Sequence, residues 1–373
     1  MENSKPERIL AIDAFRGITI LVMIFVNTLA GVRGMPAWLD HAPADADAMT
    51  FPDVVFPAFL FIVGMSMPFA MAQREAAGDH GWRLWRHVLA RTAGLLVLGV
   101  FMVNAEEGYN EAAMGFSIHL WSLLFYGCAL LVWAVYRFRR PGVAWVLRAL
   151  GLAGLVALAL QFRGGPDGST RLAPQWWGIL GLIGWAYLYS AIAWRLTRSH
   201  QLAITLLILA GTAASRYEDA THTVIALCGM LTAQIFFAGH QRQRFARALL
   251  LAAGLAVLAW LLRPVFGISK IHATPSWALY SAAICVLLFA ALYWIVDLKR
   301  WSGWTVCLRP AAANPLLVYI IPYIVYAAMQ LLHQSFPAVL GAGWPGLLWA
   351  MTYAVIIVAM AVPLNRLHIK LQL

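Results

Sequence analysis

Long apolar segments alternate with short polar ones along the whole of this 373-residue chain. Most of the apolar runs are about 20 residues long, which is the length an α-helix needs to cross a bilayer core roughly 30 Å thick. The seventh run is only about 14 residues long and is either a short tilted span or a re-entrant segment. The pattern predicts twelve spans, at 9–31, 53–73, 87–104, 117–136, 143–161, 177–195, 201–214, 222–239, 247–263, 276–297, 314–333 and 344–363.

Composition agrees with a chain whose solvent is mostly lipid. Hydrophobic residues make up 62% of the sequence and charged residues 12%, against roughly 45–50% and about 25% in soluble domains. The longest polar connections are too short for a separate soluble domain. We therefore expect an all-α, polytopic membrane bundle of 11 or 12 transmembrane helices that forms a single domain over residues 1–373.

The net charge of +11 could indicate a nucleic-acid partner, but the distribution of the basic residues argues against one. If the N-terminus is cytoplasmic and the sides alternate, 20 of the 27 Lys and Arg residues fall in cytoplasmic segments. An excess of this kind is the positive-inside signal of a membrane protein. The sequence thus predicts two cytoplasmic termini, a loop 32–52 on the opposite side, lipids as surroundings and no nucleic-acid partner.

Familiar catalytic motifs are missing from the sequence. Its four cysteines form no CxxC pair, so we expect no metal and no disulfide. No phosphate-binding loop, nucleophile elbow, zinc-protease or dinucleotide motif is present. Any chemistry must therefore come from helix ends and short loops.

Polar residues inside apolar spans are costly and often functional. Asp13 and Arg16 lie three positions apart, so they share one face of the first span. They form either a local ion pair or, through the guanidinium group, a phosphate contact. Asn27, later in this span, either donates a hydrogen bond between helices or acts in a site.

The stretch DHAPADADAMTFPDVVFP, residues 40–57, places His41 among four aspartates before the second span. Asp53 is either a helix-end charge favoured by the dipole or the carboxylate that orients the imidazole as a base. The other three aspartates, at 40, 45 and 47, either attract a cationic amine or only solvate the loop.

Two further clusters precede later spans. Lys270, in ISKIHATPSWALY, is either an interfacial lysine beside the aromatic anchor Trp277 or a site residue. Asn314 and Pro315 have the pattern of an N-cap followed by proline at the first helical position.

These clusters, in this order, resemble the heparan-α-glucosaminide N-acetyltransferase family and its bacterial relatives. The resemblance rests on IDAFRGITILVMIFVN (12–27), His41 with DVVFPAFLFIVG (53–64), ISKIHATPSWALY (268–280) and ANPLLVY (313–319). It departs from the animal pattern at APADADAMT (42–50), where a Trp-Asn-Gly element is replaced, and no large lumenal domain is present.

The resemblance implies transfer of an acetyl group from cytosolic acetyl-CoA to a glucosamine-like amino sugar across the membrane. It implies His41, Asp53 and Asn27 as catalytic residues. Because the phosphates of acetyl-CoA should stay near the basic cytoplasmic side, we expect Arg16 with Asp13 as its contacts. It further implies a substrate site built from Lys270, Ser276, Trp277 and Asn314 near the outer mouth. His41 would serve as a base or as a covalent acetyl carrier. It also implies a bacterial inner membrane and leaves a homodimer open.

Two other function classes remain. A transporter or flippase of an amino sugar or a lipid-linked sugar would also need polar groups inside spans, but the sequence shows no clear internal repeat. A non-catalytic scaffold would leave the ordered polar clusters without a purpose.

Overall fold

The computed structural model describes residues 9–136, 141–197, 200–214, 218–238, 241–366 and 370–371. Within these residues the chain forms fourteen α-helices, with short 3₁₀ turns, one π-helical turn at Trp294–Leu298 and isolated β-bridges between loops. The helices are α1 (Leu10–Leu29), α2 (Val55–Ala76), α3 (Trp82–Glu106), α4 (Glu111–Met114), α5 (Ile118–Trp133), α6 (Pro141–Gln161), α7 (Gly178–Thr197), α8 (Gln201–Ala213), α9 (Glu218–Phe237), α10 (Arg244–Phe266), α11 (Pro275–Tyr293), α12 (Arg309–Ala313), α13 (Pro315–Leu331) and α14 (Gly343–Arg366).

Twelve of these helices coincide with the twelve predicted spans. In the described part of the chain nine are long and apolar enough to cross a membrane, and α5, α8 and α13 are shorter apolar helices. Helix α8 has 13 residues, which corresponds to about 20 Å and is less than the bilayer core. The protein is an all-α, multi-pass membrane bundle, as predicted.

The centre of the bundle is the contact between α2 and α9. A Cβ atom on Gly64 would lie 1.7 Å from the carbonyl oxygen of Ala226, and one on Gly229 would lie 2.0 Å from that of Phe61. Only glycine permits this approach, and small residues at such crossings are common in membranes because they let two backbones pack closely. The contact fixes α2, which leads directly from the loop containing His41.

Helices α1, α2 and α11 pack against one another. The amide N–H of Ala11, in the first turn of α1, donates to the carboxylate of Asp297 just beyond α11, at 2.9 Å. This bond satisfies a helix-terminal amide that would otherwise lack a partner. Since α1 and α11 run in opposite directions, the last turn of α1 lies at the same end of the bundle as the start of α11.

Candidate active site

His41 and Asp53 form a close pair before α2. The Nδ1 atom of His41 lies 2.7 Å from Oδ1 of Asp53. Asp53 belongs to the 3₁₀ turn Phe51–Val54, which leads into α2. Its side chain is 2% exposed, whereas that of His41 is 34% exposed. The imidazole therefore reaches the surface while the carboxylate that holds it is buried.

The second carboxylate oxygen of Asp53 is also fully engaged. Oδ2 accepts the backbone N–H of Ala42 at 3.2 Å and that of Thr50 at 3.0 Å. The Thr50 hydroxyl lies 2.9 Å from the same Oδ2 and 2.6 Å from the carbonyl oxygen of Asp40. Donors on both oxygens suit an ionised carboxylate. An ionised Asp53 accepts Nδ1–H of His41, so the Nε2 atom of the ring keeps the lone pair of a base.

Lys270 lies beside the same imidazole. Its Nζ atom is 3.3 Å from Nδ1 and 3.4 Å from Nε2 of His41. Burial lowers the pKa of the Lys270 ammonium from its ordinary value of 10.5, and the Asp53 carboxylate offsets part of this by raising it. With Nδ1–H committed to Asp53, Nε2 is the ring atom that Lys270 can approach as a donor.

Asp47 holds the two loops of the site together. Its carboxylate accepts Nε–H of Arg263 at 2.9 Å and the backbone N–H of Ile268 at 2.8 Å. The hydroxyl of Ser269 donates across the same junction to the carbonyl oxygen of Ala44, at 2.8 Å. Asp47 is thus more than a solvating charge of its loop, because it docks the His41 loop onto the Lys270 loop.

The other two loop aspartates have smaller contacts. Asp40 accepts the backbone N–H of His41 at 2.9 Å through its carboxylate. The Asp45 side chain is fully exposed and lies 3.5 Å from His272. Exposed pairs of this kind contribute little to stability. Of the three, Asp47 has the clearest structural role.

Two aromatic side chains support Asp53 from the protein interior. The indole N–H of Trp277, which is fully buried, donates to the backbone carbonyl oxygen of Asp53 at 3.0 Å. The buried ring of His222, on α9, packs edge-on against Trp277 and Phe56, with ring centroids 6.0 and 5.5 Å away. His222 was not among the predicted site residues, and its only signal in the sequence is the polar run of residues 221–223 at the start of a predicted span.

Ser276 lies next to Trp277 and is fully buried. Its hydroxyl has no hydrogen-bond partner among the residues that the structure describes. A buried hydroxyl without a partner is costly. The Ser276 hydroxyl is therefore free to form a hydrogen bond with a bound substrate.

A cavity of about 550 Å³ opens among α1, α2, α3, α7 and α13. Four cations line it, Arg16, Arg74, Arg91 and Lys370. Along α2 the lining runs from Phe59 to Arg74, fifteen residues that correspond to about 22 Å of helix. The cavity therefore extends along α2 and is called the funnel, and its end at Arg74, in the last turn of α2, is called the basic mouth. Asp53 lies six residues before Phe59, at the other end, or about 9 Å along the chain.

Arg16 forms the predicted ion pair with Asp13, and its contact with a phosphate stays a prediction. It lies 3.4 Å from the Asp13 carboxylate, and it donates to the hydroxyl of Ser66 at 2.8 Å and to the carbonyl oxygen of Ala312 at 3.5 Å. It also lines the basic cavity. The ion pair with Asp13 thus holds a cavity cation in place.

Asn27 lies on the same face of α1 as two lining residues of the cavity. Arg16, Met23 and Asn27 are spaced at i, i+7 and i+11, which keeps them in line along a helix, and the first two line the cavity. Asn27 is exposed, one turn beyond Met23. No hydrogen bond among the described residues joins its side chain to His41 or Asp53, so it borders the region between funnel and pair without contacting the pair.

Asn314 lies elsewhere than the sequence reasoning placed it. It caps the start of α13, followed by Pro315 as predicted, but its side chain makes no capping hydrogen bond and accepts the backbone N–H of Leu371 at 3.2 Å. Its neighbours Ala313 and Pro315, like Leu371, line the basic cavity. The structure therefore brings Asn314 to the basic mouth and leaves Lys270, Ser276 and Trp277 together at the other end.

Comparison with known proteins fits this arrangement. The model of the family described as "Domain of unknown function (DUF5009)" matches residues 8–225. The chain belongs to this family. The matched segment contains His41, Asp53, Arg16 and Asn27, whereas Lys270 and Asn314 lie beyond it.

Two curated proteins are also similar to the chain, and both are named heparan-alpha-glucosaminide N-acetyltransferase. The human protein is 33% identical over 102 residues, which cover 27% of this chain and 15% of the human one. The mouse protein is 27% identical over 195 residues, which cover 48% of this chain and 25% of the mouse one. The resemblance inferred from the motifs is thereby confirmed, although these matches span a quarter or less of the relatives' length.

Proposed function

We propose that the protein is a membrane N-acetyltransferase that moves an acetyl group from acetyl-CoA to an amino sugar on the opposite side of the membrane. One observation carries the proposal: the oriented histidine lies before the start of α2, and the basic mouth of the funnel lies at its end. Asp53, in the turn before α2, and Arg74, in the last turn of α2, are 21 residues apart, which corresponds to about 32 Å of helix, the thickness of a bilayer core.

Acetyl-CoA enters the funnel from the basic side. Its phosphates pair with the cations of the mouth, because guanidinium and ammonium groups bind phosphate oxygens strongly. Its flexible pantetheine arm extends along the face of α2 towards Phe59, which brings the thioester towards Asn27 and His41. Asp13 acts indirectly, by holding Arg16, and Asn314 supports the wall beside Lys370.

His41 then acts on the acceptor or on the acetyl group. As a base, Nε2 removes a proton from the acceptor's ammonium group, and the free amine attacks the thioester carbon. The carbon–sulfur bond then breaks, and the CoA thiolate leaves as the thiol with the second proton of the attacking nitrogen. As a nucleophile, Nε2 attacks the thioester carbon and the carbon–sulfur bond breaks to release the CoA thiolate. The amine then attacks the acetyl carbon, the bond to Nε2 breaks, and the proton lost by the amine nitrogen passes to the thiolate. In both routes Asp53 holds the ring, and Asn27 and Lys270 donate to the developing oxyanion.

The similarity to the human and mouse N-acetyltransferases supports this reaction over a transporter. An amino sugar such as glucosamine is the proposed acceptor, since a primary amine is what an acetyl group and a base would act on. Ser276 and Trp277 border that acceptor near His41. We further propose a bacterial inner membrane with both termini in the cytoplasm, and a homodimer stays a prediction.

The test is acetyl transfer by the purified protein in sealed vesicles, with acetyl-CoA on one side and glucosamine on the other. His41→Ala should lower the transfer rate by about 10²–10⁴-fold and leave CoA binding intact. His272→Ala, at an exposed histidine of the neighbouring loop, is the matched control and should keep the rate. Full activity of His41→Ala would overturn the assignment, and passage of unmodified glucosamine would favour the transporter.

A further inference from the structure

A second, smaller cavity lies against the inner wall of the basic funnel. Its volume is about 40 Å³, and it shares Ile179, Leu180 and Tyr319 with the funnel. Glu106, at the last position of α3, lines it together with Trp176. The shared residues mean that one layer of side chains separates the two cavities.

Glu106 lies at the opposite end of the bundle from the basic mouth. Helix α3 starts at Trp82, shortly after Arg74 at the end of α2. Arg91 lines the funnel, and Glu106 follows it by fifteen residues towards the far end of α3, or about 22 Å. Glu106 as a residue is partly open to the outside and is the last residue of α3, so the small cavity opens at the end of the bundle where α3 terminates. A ligand can therefore reach it without passing the basic mouth.

Glu106 differs from the other carboxylates of the site. Among the residues that the structure describes, it has neither an ion-pair partner nor a hydrogen-bond partner, whereas the neighbouring Glu107 accepts the indole N–H of Trp176 at 3.2 Å. Asp53 engages both oxygens, and Asp47 is taken up by Arg263 and Ile268. Both carboxylate oxygens of Glu106 are thus able to accept hydrogen bonds from a ligand, and the side chain lines the cavity beside apolar residues such as Met102 and Val103.

The walls around this carboxylate are aromatic. Trp176 is 43% exposed at the opening, and Tyr323 lines the cavity. The hydroxyl of Tyr323 lies 3.1 Å from that of Tyr319, which forms the shared wall. A carboxylate surrounded by a tryptophan and tyrosines attracts an organic cation, since aromatic faces and a negative charge both stabilise an ammonium group.

The size of the cavity limits what enters it. A cavity needs a volume of at least about 10–15 Å³ to hold one water molecule. The volume of about 40 Å³ is therefore enough for an ammonium group, which is about the size of a water molecule, but not for a sugar ring. A ring attached to that head would remain at the opening, beside Trp176. Aromatic side chains are well suited to cover such an apolar ring face.

We infer that the Glu106 cavity is a binding site for the protonated primary amine of an amino sugar, which it captures before acetyl transfer. Glu106 binds the ammonium group, and Trp176 and Tyr323 enclose it. This inference rests on the proposed function for the fate of the amine, but the binding itself does not require acetyl transfer. Glu106 can bind the ammonium group of the acceptor, whereas both oxygens of Asp53 already accept hydrogen bonds within the protein.

Calorimetry on the full-length protein tests the site, with glucosamine as the probe and no acetyl-CoA present. Glu106→Gln should weaken glucosamine binding by at least about tenfold, because it removes the charge and keeps the shape. Glu111→Gln, which removes the carboxylate of an exposed residue at the start of α4, is the matched control and should bind as the wild type does. Glucose, which has no ammonium group, should bind weakly to all three proteins.

Kinetics provide the second readout. In a transfer assay Glu106→Gln should raise KM for glucosamine and leave kcat close to the wild-type value, because the carboxylate captures the amine without touching the thioester. Unchanged glucosamine affinity in Glu106→Gln would overturn the inference. If the affinity were unchanged and only the pH profile of the transfer rate moved, Glu106 would be a proton relay and not a binding group. Binding that depends on Glu106 without any acetyl transfer would sustain the site and reject the proposed function.

Discussion

The indole N–H of Trp277 donates to the backbone carbonyl oxygen of Asp53 across 224 residues of sequence. This bond ties the start of α11 to the turn that holds the histidine pair. Trp277 does not touch the proposed reacting atoms. It is therefore a positioning residue, and its removal should affect orientation more than binding.

Trp277→Phe should destabilise the protein and slow transfer. The carbonyl oxygen of Asp53 would lose its donor in a buried setting, at a cost of about 1–3 kcal/mol. We expect a lower kcat with nearly unchanged CoA affinity, measured by steady-state kinetics and calorimetry. Trp301→Phe, at a side chain that is 74% exposed, should leave both unchanged. A Trp277→Phe protein with wild-type kcat would contradict the positioning role.

Lys270 should set the alkaline limit of activity. Since burial lowers the pKa of Lys270 below 10.5, its ammonium is lost at a lower pH than that of an ordinary lysine. As pH rises through this pKa, kcat/KM should fall because the donor to the oxyanion loses its charge. Lys270→Arg should move this decline to higher pH, since arginine stays charged.

Stability should change in the opposite direction over the same pH window. Between the lowered pKa of folded Lys270 and the ordinary value of 10.5, the unfolded chain binds more protons than the folded one. The contribution of Lys270 to the free energy of unfolding therefore rises with pH there. Lys299→Arg, on the exposed loop after α11, should alter neither profile. An identical alkaline limb in wild type and Lys270→Arg would rule out the role of the ammonium.

The α2–α9 crossing should tolerate no side chain at Gly229. A Cβ there would lie 2.0 Å from the carbonyl oxygen of Phe61, whereas one at Gly254 on α10 would meet nothing within 4 Å. Gly229→Ala should reduce the thermal stability of the purified protein. Gly254→Ala should be neutral or stabilising by up to about 1 kcal/mol, because alanine favours the helix. Equal melting temperatures for the two variants would show that the crossing is looser than described.

Much of this fold could be predicted from the sequence, because an apolar run long enough to span a bilayer has few alternatives to a helix. The pair of His41 and Asp53 was also predictable, because the two residues are only twelve positions apart and Asp53 lies at the predicted start of the second span. The docking of the two loops by Asp47 was not predictable, because Ile268 is 221 residues away from Asp47 and no local sequence pattern encodes that contact. Arg74 and Arg91 were counted only as charges that orient the protein, since their convergence on one cavity depends on how α2 and α3 pack.

Orientation can be measured with single cysteines. Asp45→Cys and Arg83→Cys, both at exposed positions, should react with a membrane-impermeant thiol reagent from opposite sides in a background without native cysteines. Position 83 should be labelled from the cytoplasm, because the basic excess there follows the positive-inside rule. Labelling of both positions from one side would disprove that the histidine pair and the basic mouth face different compartments.

The basic mouth should bind CoA through its phosphates. Arg74 and Arg91 line the funnel, so removing both charges in an Arg74→Gln/Arg91→Gln variant should weaken CoA binding. The loss of even one charge-assisted hydrogen bond, about 1.5–3 kcal/mol, corresponds to roughly 10- to 150-fold in affinity. Binding of pantetheine, which has no phosphates, should change little, and the wild-type affinity for CoA should fall as salt is added.

Arg83→Gln, at an exposed arginine of α3 that does not line the cavity, is the control and should bind CoA normally. If the double variant lost CoA and pantetheine equally, the arginines would maintain the shape of the funnel instead of pairing with phosphate.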